Sequence, residues 1–173
     1  MLLTLVDEHN QVIGSQPIGE VDFATSYYRV AAMILLNDQN EVLIAQRSLD
    51  KEHSPGVWGP SAAGMLESHE EVRENAIKET EEEVGFTLDD AEVVEGPTIY
   101  TERSDPKRQY FLHWFFARSN APIESFMLQE DEVAAVAWIA LDELRNKIET
   151  DPGQYIDLSD ELLTQLEHAL PKS

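Results

Sequence analysis

The chain has no cysteine among its 173 residues. That excludes a disulfide framework, a thiolate metal site and a cysteine nucleophile. Positive charge is scarce: 12 Lys and Arg stand against 34 Asp and Glu, for a formal net charge of −22. With no basic face to release counterions, nucleic acid and anionic membranes are excluded as partners. Long apolar runs are missing too. The first, Met1 to Val6, ends at Asp7-Glu8 and is too short for a signal peptide or a membrane span. The expected location is cytoplasmic. There are no repeats, low-complexity tracts or linker-like stretches. No serine sits in a nucleophile-elbow pattern, so covalent catalysis has no support.

What remains is a globular composition, 42% hydrophobic, at a length that suits one domain over residues 1–173 with a substantial core. Along it, Leu2–Val6 and Val12–Ile13 flank a turn-rich stretch and predict a hairpin within residues 1–20. Strands are expected at Arg29–Leu36, Glu41–Arg47, Ala91–Tyr100, Tyr110–Arg118 and Ala134–Ile139. Ser48–Gly59 and Glu102–Gln109 read as loops. A helix follows at Leu141–Ile148, and a C-terminal amphipathic helix at 157–170 has Ser159 as N-cap and Pro171 just beyond it. Strands outnumber helices, which predicts an α+β fold with a mixed sheet between helices.

Residues Gly64–Phe86 read GMLESHEEVRENAIKETEEEVGF. From about His69 to Val84 there is no Pro or Gly, and good helix formers dominate. At helical spacing Val72, Ala76, Ile77, Thr80 and Val84 share an apolar stripe. Glu71, Glu74, Lys78 and Glu81 fall opposite, with Glu74 and Lys78 at a favourable i,i+4 spacing. Glu79, Glu82 and Glu83 stand at i, i+3 and i+4, so they project together at the edge of the stripe. Carboxylates crowded beside a core repel one another and are costly to desolvate. A hard cation relieves both costs, and Mg²⁺ takes such oxygen ligands together with substrate phosphates.

The same segment resembles the Nudix box, G-x5-E-x7-R-E-U-x-E-E-x-G-U, where U is aliphatic. Gly64, Glu70, Glu79, Glu82, Glu83 and Gly85 match. At the Glu and Gly frequencies of this chain, six such positions would align by chance at roughly one in ten thousand. Lys78 stands where the family has Arg, and Thr80 at the first aliphatic position. The resemblance implies an α/β/α sandwich and a loop–helix–loop that holds divalent metal against a phosphate chain. It adds Glu70 to Glu79, Glu82 and Glu83 as a metal ligand. Glu70 can join only from the loop or first turn before the helix. Mg²⁺ is the implied cofactor, with Mn²⁺ as a substitute.

Outside the box the chain resembles the isopentenyl diphosphate isomerase-like branch of the Nudix proteins, through VDEHNQVIG, QRSLDK…PGVWGPSAAG and QEDEVAAVAWIALDEL. The isomerases of that branch place a Cys and a metal-binding His where Ala63 and Met65 stand here, and neither of these can move a proton. The reading is therefore a hydrolase of a pyrophosphate linkage in a nucleoside di- or triphosphate or a related diphosphate. The alternative is a non-catalytic Nudix-fold protein that binds its ligand for regulation. By resemblance Glu79 is a candidate base. Lys78 gives it charge without the bidentate fork of Arg, and Glu82 and Glu83 complete the catalytic set. Glu130, Asp131 and Glu132 are further base candidates. Arg47 and Lys51 stand where the branch binds diphosphate, and Trp58 is the stacking candidate. Arg103, Lys107 and Arg108 form a second basic group. The expected partners are a small phosphorylated molecule and, for assembly, a second copy in a homodimer.

Overall fold

The computed structural model describes residues 1–169. Its centre is β3 (Tyr27–Leu36), ten residues with no break in their apolar character beyond Val30. Such a run must be covered on both faces, and it is. β3 pairs in parallel with β8 (Lys107–Arg118) from Tyr27↔Gln109 to Leu36↔Arg118. On its other edge it pairs antiparallel with β6 (Ala62–Met65) and, near its ends, with β1 (Leu2–Val6) and β4 (Glu41–Arg47). β2 (Val12–Pro17) closes the N-terminal hairpin on β1. β5 (Trp58–Gly59) and β9 (Val133–Ala140) flank β4, and β7 (Val94–Ser104) lies outside β8. The sheet is mixed, with helices on both sides.

Period-two alternation sorts the side chains of β3 to two faces. Ala32, Ile34 and Leu36 join Trp114 and Phe116 of β8 in a cluster with Leu144 of α2 (Leu141–Thr150) and Leu162, Leu163 and Leu166 of α3 (Asp160–Ala169). Ala31, Met33 and Leu35 face the other way, against Ala76 of α1 (Val72–Val84). The α+β class and the helix–sheet–helix layering are those expected. None of the helices among the described residues is long and apolar enough to cross a membrane.

Several boundaries differ from expectation. Glu102–Gln109 is no loop: β7 and β8 run on through it and turn at Asp105-Pro106, with Arg103 paired to Arg108. Its polar residues alternate along a two-stranded ribbon, which reads as loop when each strand is taken alone. The strand expected from Ala91 begins at Val94, after a short 3₁₀ turn at Asp90–Glu92. Helix α1 starts at Val72 rather than His69. Ser159 does cap α3, accepting a bond from the Leu162 N–H at 3.2 Å. The part of that expectation resting on Leu170 and Pro171 lies outside the described residues.

Candidate active site

The later start of α1 matters chemically, because it frees Glu70 to fold back. Glu70 precedes the helix, and its Oε1 accepts from Lys78 Nζ at 2.5 Å. Its Oε2 accepts from Asn75 Nδ2 at 2.8 Å and from the Glu67 N–H at 3.1 Å. Lys78 Nζ also lies 3.5 Å from Glu79 Oε1, and Asn75 Nδ2 reaches the same oxygen at 3.4 Å. Lys78 and Asn75 thus bring the Glu70 and Glu79 carboxylates together. This corrects the expected pairing of Lys78 with Glu74 across the face opposite the apolar stripe. It pairs with Glu70 and Glu79, and no Glu74–Lys78 ion pair forms among the described residues. The helix-wheel argument failed because it counted only neighbours on the helix and not the returning loop.

Strand β6 forms the opposite wall. The Ala63 N–H donates to Glu83 Oε2 at 3.1 Å. A Cβ on Gly64 would overlap the Glu79 carboxyl group, so that carboxylate lies directly on the glycine backbone. At the far end of the helix Gly85 adopts φ +67°, a left-handed conformation that favours glycine. A Cβ there would also sit 2.7 Å from Met127. This close approach lets the Met127 and Gln129 N–H groups bond the carbonyls of Val84 and Glu83, which brings the loop leading to Glu132 beside the site.

Burial and charge pull the carboxylates apart in their affinity for protons. Burial pushes Glu83 up to about 8, with the charges of Glu79 and Glu132 adding to it and the Ala63 N–H opposing. Burial also raises Glu79, helped by Glu82 and Glu70 and opposed by Lys78. Burial pulls Glu70 the same way, but the bonds from Lys78 and Glu67 outweigh it and hold the carboxyl below its ordinary range. Lys78 is raised: its burial is outweighed by Glu70, Glu79 and Glu82.

Glu82 stands exposed beside this group, acting on Glu79 and Lys78 through its charge. Among the described residues no three Asp, Glu or His side chains already converge as a closed metal cage. The donor set nonetheless suits a hard cation. Glu83 is partly buried and has no ion-pair partner among the described residues, and Glu79 lies on the same helix face one turn earlier.

The basic residues divide. Arg47, at the end of β4, donates from Nη2 to the His53 carbonyl at 3.3 Å, and its charge acts on Glu83. Its buried Nε has no partner among the described residues. Lys51 Nζ lies 2.5 Å from Glu132 Oε1. Of the three acidic loop residues, Glu130 and Asp131 are exposed and Glu132 alone turns toward the site. Trp58 is half-buried against the core on the α3 side, its carbonyl accepting from the Ile156 N–H at 2.8 Å. Arg103 bonds Asp157, and Arg108 lies over the Phe23 ring at 3.9 Å, so this second basic group does not gather at the glutamates. Asn75 was missed by the sequence reading. A buried amide in an otherwise good helix former's position, four residues before Glu79, was the available signal.

Lys78→Met, which keeps the length and removes the charge, is expected to lower kcat/KM about tenfold or more, since partners that orient ligating groups typically carry 10–100-fold. Lys78→Arg should retain activity. Steady-state kinetics check this, and an unchanged kcat/KM in the methionine variant would leave Lys78 a purely structural role.

The NUDIX domain family matches this chain over residues 27–158. An uncharacterized Nudix hydrolase of Pseudomonas aeruginosa is 30% identical over 149 residues, covering 84% of each chain. An isopentenyl-diphosphate delta-isomerase of Streptomyces avermitilis is 29% identical, over 88% of this chain and 77% of its own length. The crystal structure of DR0079 from Deinococcus radiodurans superposes with a TM-score of 0.71 over 99% of this chain and 100% of that one, at 21% identity. The chain belongs to the Nudix family. Within it, the matches mark a Nudix hydrolase.

Proposed function

We propose that this hydrolase cleaves a pyrophosphate linkage in a nucleoside di- or triphosphate, with Mg²⁺ as cofactor and Mn²⁺ as a substitute. The observation that carries the reading is Glu83, without an ion-pair partner among the described residues, beside Glu79 on α1 and against β6, with Glu70 drawn in from the preceding loop. Held by Glu79, Glu83, Glu70 and the exposed Glu82, a divalent ion would neutralise phosphate oxygens and acidify water for attack on phosphorus.

The protein's own groups do the rest. Glu79, raised by burial, is placed to accept the proton of the attacking water, and Lys78 fixes its carboxylate. Arg47 and Lys51 orient the phosphate chain. Lys51 exchanges Glu132 for phosphate. Ala63 and Met65, on β6, cannot carry the proton transfers of an isomerase.

Incubation with Mg²⁺ or Mn²⁺ and a panel of nucleotides, nucleotide sugars and isoprenoid diphosphates tests this by phosphate release. Metal-dependent hydrolysis that Glu79→Gln reduces at least about a hundredfold is the expected result. No turnover of any compound, or turnover indifferent to the substitution, would sink the reading. The second reading is a non-catalytic ligand-binding protein. It is favoured by the Lys78 ammonium, which already occupies a cation's place between Glu70 and Glu79. It predicts saturable nucleotide binding without turnover in the same panel.

A further inference from the structure

On the opposite face of the sheet from α1, a cavity of about 470 Å³ opens between the loop before β5, strands β7 and β8, and the segment before α3. Its apolar lining includes Ile99, Leu112, Trp114 and Tyr155, and its polar end holds Arg103 and Asp157. We propose that this cavity is a nucleobase subsite, in which Arg103 and Asp157 read a donor–acceptor edge of the base; this rests on the diphosphate-hydrolase reading above.

The arrangement of that pair carries the argument. Arg103 Nε donates to Tyr110 Oη at 2.8 Å, and Nη2 donates to Asp157 Oδ1 at 2.7 Å. Tyr110 Oη donates to the same Oδ1 at 2.6 Å. Among the described residues these bonds leave Arg103 Nη1 and Asp157 Oδ2 without a partner, and both residues line the cavity. A donor and an acceptor held on residues that line one cavity can meet the acceptor and N–H that every nucleobase presents on its pairing edge. Trp114, 1% exposed, forms the apolar floor of the cavity.

The geometry is held firmly. Asp157 sits at φ +63°, an uncommon conformation for a non-glycine residue that the two bonds to its Oδ1 fix in place. The Ile156 N–H bonds the Trp58 carbonyl, and Gly59 is needed because a Cβ there would meet Ile156 at 2.8 Å.

Other occupants fit less well. A second phosphate would meet a guanidinium already neutralised by Asp157. An isoprenoid tail would satisfy the apolar walls but leave Arg103 Nη1 and Asp157 Oδ2 desolvated without partners. One loop joins the cavity to the basic residues: Ser54 and Val57 line the cavity, and Lys51 and the His53 carbonyl that Arg47 bonds belong to the same loop.

The test is equilibrium binding of the four common nucleoside monophosphates in EDTA by calorimetry, which needs no turnover. At least one is expected to bind saturably, and Asp157→Asn to weaken it about tenfold, a missing hydrogen-bond partner being of that order. Asn tolerates the left-handed backbone at this position better than most residues. Arg103→Lys, which keeps the charge but not the fork, should weaken it similarly. On the wild type, methylating the pairing-edge nitrogen of the tightest base should cost about tenfold by the same reasoning, independent of any variant's folding. Hydrolysis of the matching diphosphate should lose through KM in both variants. Absence of saturable binding by any monophosphate, or affinity unmoved by methylation and by whichever variants fold, overturns the subsite. Nucleotide hydrolysis with unmoved affinity sinks the subsite alone. Sensitive monophosphate binding without any hydrolysis sinks the hydrolase reading alone.

Discussion

Glu83→Gln is expected to lose at least about a hundredfold in kcat while gaining stability at pH 8. The loss follows from removing a ligating carboxylate, since transition-state charge stabilisation by a metal amounts to several kcal/mol. The gain follows from burial. The Glu83 carboxyl is pushed from its ordinary 4.5 up to about 8, burial first and the charges of Glu79 and Glu132 after it. A folded-state pKa above the unfolded one means that the native state holds the proton more tightly. That contribution to stability is fully present below about pH 4.5 and is lost as pH rises through about 8. Over that window the wild type in EDTA should lose on the order of several kcal/mol that the glutamine variant keeps. Thermal melts in EDTA across pH 4.5 to 8 read this directly, at about 2–4 °C per kcal/mol for a chain of this size. Parallel pH profiles for the two proteins would show that Glu83 is not the strained group.

Gly64→Ala is expected to have the second largest effect, and to separate activity from folding. The atoms an added Cβ would meet are Cγ, Cδ and Oε1 of Glu79, the far end of a flexible side chain. The protein can therefore stay folded, with stability changed by about 1 kcal/mol or less, by swinging the carboxylate away. Misplacement of a catalytic group by about 1 Å costs on the order of a hundredfold. The expected outcome is a kcat reduced about a hundredfold with a Tm close to wild type. Full activity in Gly64→Ala would mean that the Glu79 carboxylate does not act from the β6 backbone.

These predictions use parts of the molecule that the sequence showed unequally. Glu41–Arg47 was legible to the residue as β4 because its apolar stretch is bounded by an Asn-rich turn and a charged end. The spacing of Glu79, Glu82 and Glu83 was legible because a helix fixes neighbours at i+3 and i+4 whatever surrounds it. The sequence could not show that Glu82 stays exposed while Glu83 turns inward against the Ala63 N–H, because β6 sets that difference. Lys78 illustrates the same limit. Its partner Glu70 lies eight residues back across a turn, beyond the i+3 and i+4 neighbours that a helix brings into contact. Arg103 read as a loop cation, yet it is locked to Asp157, 54 residues away. Local pattern gave the elements and the acidic motif; the pairings between elements decided which charges are free to act.

The central claim is that the glutamates around α1 form a specific divalent-metal site. Mn²⁺ binding followed by electron paramagnetic resonance, on the wild type, Glu79→Gln and Glu83→Gln, tests it most directly. A chain of net charge −22 gathers cations loosely everywhere, so the variants rather than the binding itself decide. The account predicts a tight, saturable class of Mn²⁺ in the wild type that either substitution removes, leaving only the weak background. Binding that is the same in all three proteins would contradict it.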